Sequence, residues 1–277
     1  MGLVSGKYAL VTGGGTGIGF GVAQRLLDEG AARVLIVGRR KQVLEQATNL
    51  LKEAVSDAPV DFMVCDITDE EQVRAAVTAS SDENGQLDIC VANAGSGFPS
   101  PILHSSAEGW RFCCELNIIG TAMCVKHAAN AMKRRGGSII TISSVAGAKV
   151  QKWMAAYSTT KAALEMLTKC AAVELAPFNI RVNCIEPGYV ETESTIDHLS
   201  DGLKAQCLDH TLLRRPGNVL EQGDAVLYFA SDMGKWVTGQ ILGVCGGMSV
   251  SVGEDFEDLN RQLYGDDVMN ACQAKTD

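Results

Sequence analysis

Residues 155–164 read AAYSTTKAAL, placing Tyr157 and Lys161 four apart in a run of small residues. On a helix that spacing puts two side chains on one face, with Cβ atoms about 5–6 Å apart. A phenol alone holds its proton too tightly for acid–base work near neutrality. An ammonium 4 Å away favours the phenolate by about 4 kcal/mol at an effective dielectric near 20. The pair therefore offers a proton donor and acceptor suited to carbonyl–alcohol chemistry, and its small neighbours leave room for other molecules to approach. A second candidate is TGGGTGIG at residues 12–19, lying between an apolar run and a helical one. Glycines let the backbone approach a pyrophosphate, and a helix N-terminus offers free N–H groups and a positive dipole end.

Both motifs need a frame. Short apolar runs at 7–12, 33–38, 60–65, 87–93, 138–143, 180–186 and 239–244 read as strands, and stretches such as 19–30, 42–54 and 70–82 have helical spacing. Strand and helix in alternation predict parallel strands joined by right-handed crossovers. The expected fold is α/β: a Rossmann-type, doubly wound parallel sheet of about seven strands in a single domain over residues 1–250. A composition of 46% hydrophobic residues, only 5% aromatics and 29 glycines suits strands buried on both faces. Residues 189–217 are polar and irregular, and are expected to form a substrate lid. Residues 251–277 form an acidic extension, expected to be helical at first and loose over its last ten or so residues.

The motifs taken together resemble those of the short-chain dehydrogenase/reductase family, whose signature T-G-x-x-x-G-x-G is matched by Thr12, Gly13, Gly17 and Gly19. NAG at 93–95, Asn117, ISS at 142–144, YSTTK at 157–161 and PGYVET at 187–192 follow in family order, to about residue 250. The resemblance implies a catalytic set of Ser144, Tyr157, Lys161 and Asn117. Tyr157 would be the general acid/base, with Lys161 tuning it and holding the nicotinamide ribose. Ser144 would bond the substrate oxygen, Ser143 being the near alternative, and Asn117 would hold a water that links Lys161 to solvent. It further implies cofactor contacts from Gly13, Gly15, Thr16, Gly17, Ile18 and Gly19, from Asp66 and Ile67 beside the adenine, from Asn93, Ala94 and Gly95, and from Pro187, Gly188, Val190 and Thr192 around the nicotinamide. For Asp66, in DITDEE, a helix cap is the rival reading.

The end of the second strand chooses the cofactor. A carboxylate there would accept from a ribose 2′-OH; this chain has Gly38 followed by Arg39 and Arg40. Guanidinium groups can grip a 2′-phosphate, so NADP(H) is expected over NAD(H), although Thr16 stands where some NADP members carry a basic residue. The expected reaction interconverts a ketone and a secondary alcohol. An NAD-preferring dehydrogenase, a catalytically silent cofactor-binding sensor or scaffold, and a relative doing dehydration or epimerisation are the rivals. Ser96, Phe98, Val150, Trp153, Met154 and Tyr189 would line the substrate pocket with Ser144, and their mostly apolar character suggests a lipophilic small molecule.

A net charge of −9 argues against nucleic acid as partner. No apolar run is long enough to span a bilayer, and the N-terminus lacks a secretory pattern, so a cytoplasmic protein is expected. The ten cysteines include no C-x-x-C pair, and most lie in apolar strings, which reads as buried free thiols with no metal site. The family resemblance also implies a homotetramer, or a homodimer, packed through helices at 106–135 and 154–176.

Overall fold

The computed structural model describes residues 2–250 and 255–272. Seven strands form one sheet, β1 (Tyr8–Thr12), β2 (Arg33–Gly38), β3 (Val60–Val64), β4 (Ile89–Ala92), β5 (Gly137–Ile142), β6 (Ile180–Pro187) and β7 (Ile241–Val244). Their order is β3-β2-β1-β4-β5-β6-β7, with every pairing parallel. This is the expected single-domain Rossmann-type sheet, with strand ends displaced by one or two residues at most of the predicted segments. Period-two alternation divides the core into two layers. Ala9 and Val11 of β1 pack with one buried cluster and Leu10 with the other, on the opposite face. The chain reverses direction between β1 and β4, which opens a crevice at the carboxyl ends of the strands.

Helices α1 (Gly17–Asp28), α2 (Lys41–Ala54), α3 (Glu70–Ser80), α4 (Ala107–Cys113) and α5 (Thr121–Met132) precede β5. Helices α6 (Val145–Ala148) and α7 (Ala155–Leu175) follow it, then α8 (Glu193–His198), α9 (Asp201–Asp209) and α10 (Val219–Ala230) after β6. The cap of α3 is Asp69, whose carboxylate accepts from the N–H groups of Glu71 and Gln72. Asp66 instead accepts from the N–H and hydroxyl of Thr68, at 3.0 and 2.8 Å, so the cap reading of Asp66 fails. The helix expected over 106–135 is interrupted by a π-helical turn, Cys114–Gly120, with Asn117 at its middle.

Two other expectations are corrected. The lid region holds two helices, α8 and α9, each capped by a side-chain hydroxyl (Thr192 and Ser200). Its polar composition hides the helical pattern, and α9 buries no residue. In the extension, α11 (Glu257–Tyr264) and α12 (Asp266–Cys272) carry helix well past the point where loose chain was expected. Arg261 ties them together, bonding Glu257 within α11 and both Asp266 and Asn270 of α12. Residues 273–277 lie outside the described residues. All ten cysteines are free and six are buried, but Cys170 and Cys272 are exposed, unlike the general expectation of burial. Among the described residues no helix is long and apolar enough to cross a membrane, and no group of three or more His, Cys, Asp or Glu is placed to hold a metal.

Candidate active site

The glycine loop rises from β1 and turns into α1. Gly13 has φ +66°, where a side chain would be strained. Gly19 packs so closely that a Cβ there would stand 2.3 Å from the carbonyl oxygen of Gly13. Asn93, just past β4, ties the neighbouring strand end to this loop. Its Nδ2 donates to the carbonyl oxygens of Thr12 and Gly13, at 2.8 and 3.3 Å.

One cleft runs across these strand ends. It is lined by Gly13, Gly15, Thr16, Gly17 and Ile18 of the loop, by Arg39 and Arg40 beyond β2, and by Asp66 and Ile67 beyond β3. Asn93, Ala94, Gly95, Ser144, Tyr157, Lys161, Pro187, Gly188, Val190 and Thr192 complete it. Of the residues expected to touch a cofactor, only Gly19 stays out of the lining, where it instead shapes the loop from within. Cys65 and Thr195 also face the cleft and were not expected to, as does Ser143, the near alternative to Ser144. Arg39 and Arg40 are exposed. The residues present fit an anionic dinucleotide, because a carboxylate already sits where a pyrophosphate would: Glu193 Oε2 accepts from the N–H of Gly17, at the start of α1, over 3.1 Å.

The catalytic candidates converge at the far end of the same cleft. Tyr157 and Lys161 lie on α7, and Lys161 Nζ stands 5.6 Å from the Tyr157 ring centroid. Lys161 is buried, and its ammonium donates to the Ile142 carbonyl oxygen at 2.8 Å. An ammonium has three donors, so two remain for other partners. Ser144 caps α6, accepting from the Ala146 N–H at 3.2 Å, and is only half-buried. Ser143 is buried, and its hydroxyl donates to the Lys161 carbonyl and to Glu165 Oε1, at 3.0 and 2.9 Å. Both serines line the cleft, but the Ser143 hydroxyl is buried and engaged by Lys161 and Glu165, whereas Ser144 is half-exposed.

Asn117 lies one layer behind, buried in the π turn, outside the cleft lining. Its Nδ2 donates to the Ser96 carbonyl and the Thr160 hydroxyl, each at 2.9 Å, and its Oδ1 accepts from the Ser96 N–H. A Cβ placed at Gly95 would stand 3.0 Å from Asn117 Oδ1 and 3.1 Å from Lys161 Nζ, so this glycine leaves a notch open to both groups.

Gly97 was missed by sequence reasoning. A Cβ there would stand 2.4, 2.7 and 2.8 Å from Cδ2, Cγ and Cβ of Tyr157, so bare backbone is pressed against the phenol. Its place as the last of four small residues in NAGSG was its only signal.

The expected substrate residues are less well gathered. The loops carrying Phe98 and Trp153 are joined by a bridge between Ser100 and Met154, in which the Ser100 N–H donates to the Trp153 carbonyl. Trp153 has φ +70°, a strained conformation for an aromatic residue. Phe98 stacks obliquely on Phe112 at 6.0 Å. Val150 is 91% exposed and packs against no wall, so the structure does not bring it into the site. Tyr189 is half-buried, outside the cofactor cleft, with its phenol pushed up in pKa chiefly by burial.

A doubly wound sheet with a glycine loop at its switch point, facing a tyrosine and a lysine one helical turn apart, defines a dinucleotide-binding fold of the oxidoreductase class. A family model described as "Enoyl-(Acyl carrier protein) reductase" matches residues 13–249. The cis-4-hydroxycyclohexanecarboxylate dehydrogenase of Sinomonas cyclohexanicum is 36% identical, over 87% of this chain and 96% of its own. The 3alpha-hydroxysteroid dehydrogenase of Mediterraneibacter gnavus is 34% identical, over 88% and 97%. Among solved structures, a short-chain type dehydrogenase/reductase from Mycobacterium ulcerans superposes with a TM-score of 0.85 at 36% identity, covering 96% of this chain and 98% of its own. A 7 alpha-hydroxysteroid dehydrogenase complexed with NADH and 7-oxo glycochenodeoxycholic acid superposes with a TM-score of 0.83 at 31% identity, covering 88% and 94%. The chain belongs to the short-chain dehydrogenase/reductase family.

Proposed function

We propose that this protein is an NADP(H)-dependent oxidoreductase that interconverts a ketone and a secondary alcohol on a lipophilic small molecule. The observation that carries the reading is the meeting of Ser144, Tyr157 and Lys161 in the cleft that also holds the glycine loop. A bound nicotinamide would supply or accept the hydride. The Tyr157 hydroxyl gives a proton to the carbonyl oxygen or takes one from the alcohol, and the Ser144 hydroxyl donates a hydrogen bond to that same oxygen. The Lys161 ammonium lies beside the phenol and has donors to spare for ribose hydroxyls. Asn117 and Lys161 both approach the backbone at Gly95, which supports the reading that Asn117 holds a water linking Lys161 to solvent. Pro187, Gly188, Val190 and Thr192 fix the nicotinamide so that one face meets the substrate.

The preference for the phosphorylated cofactor rests on Arg39 and Arg40, which face the cleft where an acidic residue would repel a 2′-phosphate. A lipophilic substrate is supported by Phe98 and Trp153 near the catalytic end, and by relatives named as dehydrogenases of a hydroxycyclohexane acid and of hydroxysteroids. Phe112 and Ile119, and Met166 and Val173 of α7, are exposed apolar residues on the helices expected to join subunits, which supports a homotetramer or homodimer. Screening ketones and alcohols while following the absorbance of the reduced nicotinamide tests the reading. It expects turnover of at least one apolar ketone with NADPH, at a kcat/KM well above that with NADH.

A further inference from the structure

Beneath the catalytic residues lies a pair of carboxyl groups that the proposed reaction does not use. Glu186 is buried near the end of β6, directly before Pro187 and Gly188. Glu165 lies on α7 one turn beyond Lys161 and reaches the strand end beside Glu186: its Oε1 accepts from the Ser143 hydroxyl, and the Ser143 N–H donates to the carbonyl of Ile185, next to Glu186, at 2.9 Å. The Ser143 hydroxyl bonds the Lys161 carbonyl as well. A Cβ at Gly147 would stand 2.1 Å from that Oε1, so the carboxyl of Glu165 is lodged in the notch this glycine leaves in α6. The pair thus touches each segment that presents a working residue: the β5–α6 junction with Ser144, α7 with Lys161, and the β6 end with Pro187 and Gly188.

A buried carboxyl beside a half-buried one resists ionisation while its neighbour is charged. The charged and titratable groups around them offer little relief. Lys169 on α7 attracts Glu186, but as the weakest of the influences upon it. On the same helix, Lys161 directs its ammonium to Ile142. Lys149, following α6, directs its own to Met248. Cys184 of β6 is a thiol pushed up to about 11 by burial, and Cys245 after β7 bonds Ser249.

We propose that Glu165 and Glu186 are positioning residues that share one proton, and that this proton clamps the Ser144, Lys161 and Pro187–Gly188 segments in register. Burial, then the charge of Glu165, then the hydrogen bond from it, push the Glu186 carboxyl up from 4.5 to about 7. Since the folded chain holds this proton more tightly than the unfolded chain, its stabilisation is complete below 4.5 and is lost as pH rises through about 7.

The test compares the full-length protein with Glu165→Gln, whose amide can accept from Ser143 and donate to Glu186 with no shared proton. Glu186→Gln is the second variant, keeping a donor toward Glu165 in case the first fails to fold. Thermal midpoint and kcat are measured from about pH 4.5 to about pH 8.5. The clamp predicts that the midpoint of wild type falls relative to either variant as pH rises from about 4.5, and levels off above about 7. It also predicts that the kcat ratio of variant to wild type grows about threefold or more as pH rises through about 7; taking the ratio removes any pH dependence common to all forms. A midpoint difference and a kcat ratio that stay flat with pH overturn the clamp. The kinetic half rests on the oxidoreductase reading, whereas the cofactor-free thermal half does not, so the two can fail separately.

Discussion

Replacing Gly97 by alanine should injure catalysis without touching any reactive group. The added Cβ would stand 2.4 Å from Cδ2 and 2.8 Å from Cβ of Tyr157. Turning the ring relieves the first contact but not the second, because Tyr157 Cβ is fixed to α7. Ordinary contact begins near 3.4 Å, so loop and phenol must part by roughly 0.6–1 Å. A displacement of that size at a reacting group costs about 100-fold in rate, or about 2.7 kcal/mol. Because the glycine loop at Gly13–Gly19 lies at the other end of the cleft, cofactor affinity should hold within about threefold, and overpacking should lower stability by about 1–3 kcal/mol. Steady-state kcat, cofactor Kd by titration and thermal midpoint check all three. If Gly97→Ala turned over within about threefold of wild type while remaining folded, the idea that bare backbone at this position aims the phenol would be refuted.

Three further outcomes are expected. Glu193→Gln removes the carboxylate that accepts from the Gly17 N–H, so cofactor should bind about two- to fivefold tighter, the exposure of this bond keeping the effect small. Unchanged affinity by titration would show that this carboxylate does not compete for the helix end. Replacing both Arg39 and Arg40 by alanine should weaken NADPH about 10- to 100-fold and leave NADH nearly unaffected, as separate binding titrations would report. Lys161→Met should cut kcat by about two orders of magnitude or more, since a buried ammonium that faces the phenol is lost; the alkaline limb of the kcat profile shows whether the charge acts on proton transfer.

The parts of this site readable from sequence are those encoded by short spacings. The i,i+4 relation of Tyr157 and Lys161, the glycines between β1 and α1 and the strand alternation each depend on a few adjacent residues, and each appears in the structure where it was expected. Ser144 over Ser143 was chosen by spacing, and the bonds of Ser143 to Lys161 and Glu165 give that choice a physical reason. What stayed hidden depends on residues far apart in the chain. Gly97 matters only because the fold lays it against Tyr157. Glu165 and Glu186 meet only because α7 crosses the end of β6, although an acid inside the apolar run CIEPG was a visible irregularity. Asn117 was found, but its π turn has no local signature. Helix α9 escaped notice because it buries no residue, and the substrate residues were chosen by chemical character alone, which is how exposed Val150 was included.

The central claim is that the Tyr157 hydroxyl carries the proton while Ser144 and Lys161 serve it. Tyr157→Phe removes one oxygen and keeps the ring that packs on Gly97. On any ketone turned over by the wild type, kcat should fall by about three orders of magnitude or more, with NADPH affinity within about threefold. A variant lacking that oxygen yet retaining more than about a tenth of wild-type kcat would contradict the account.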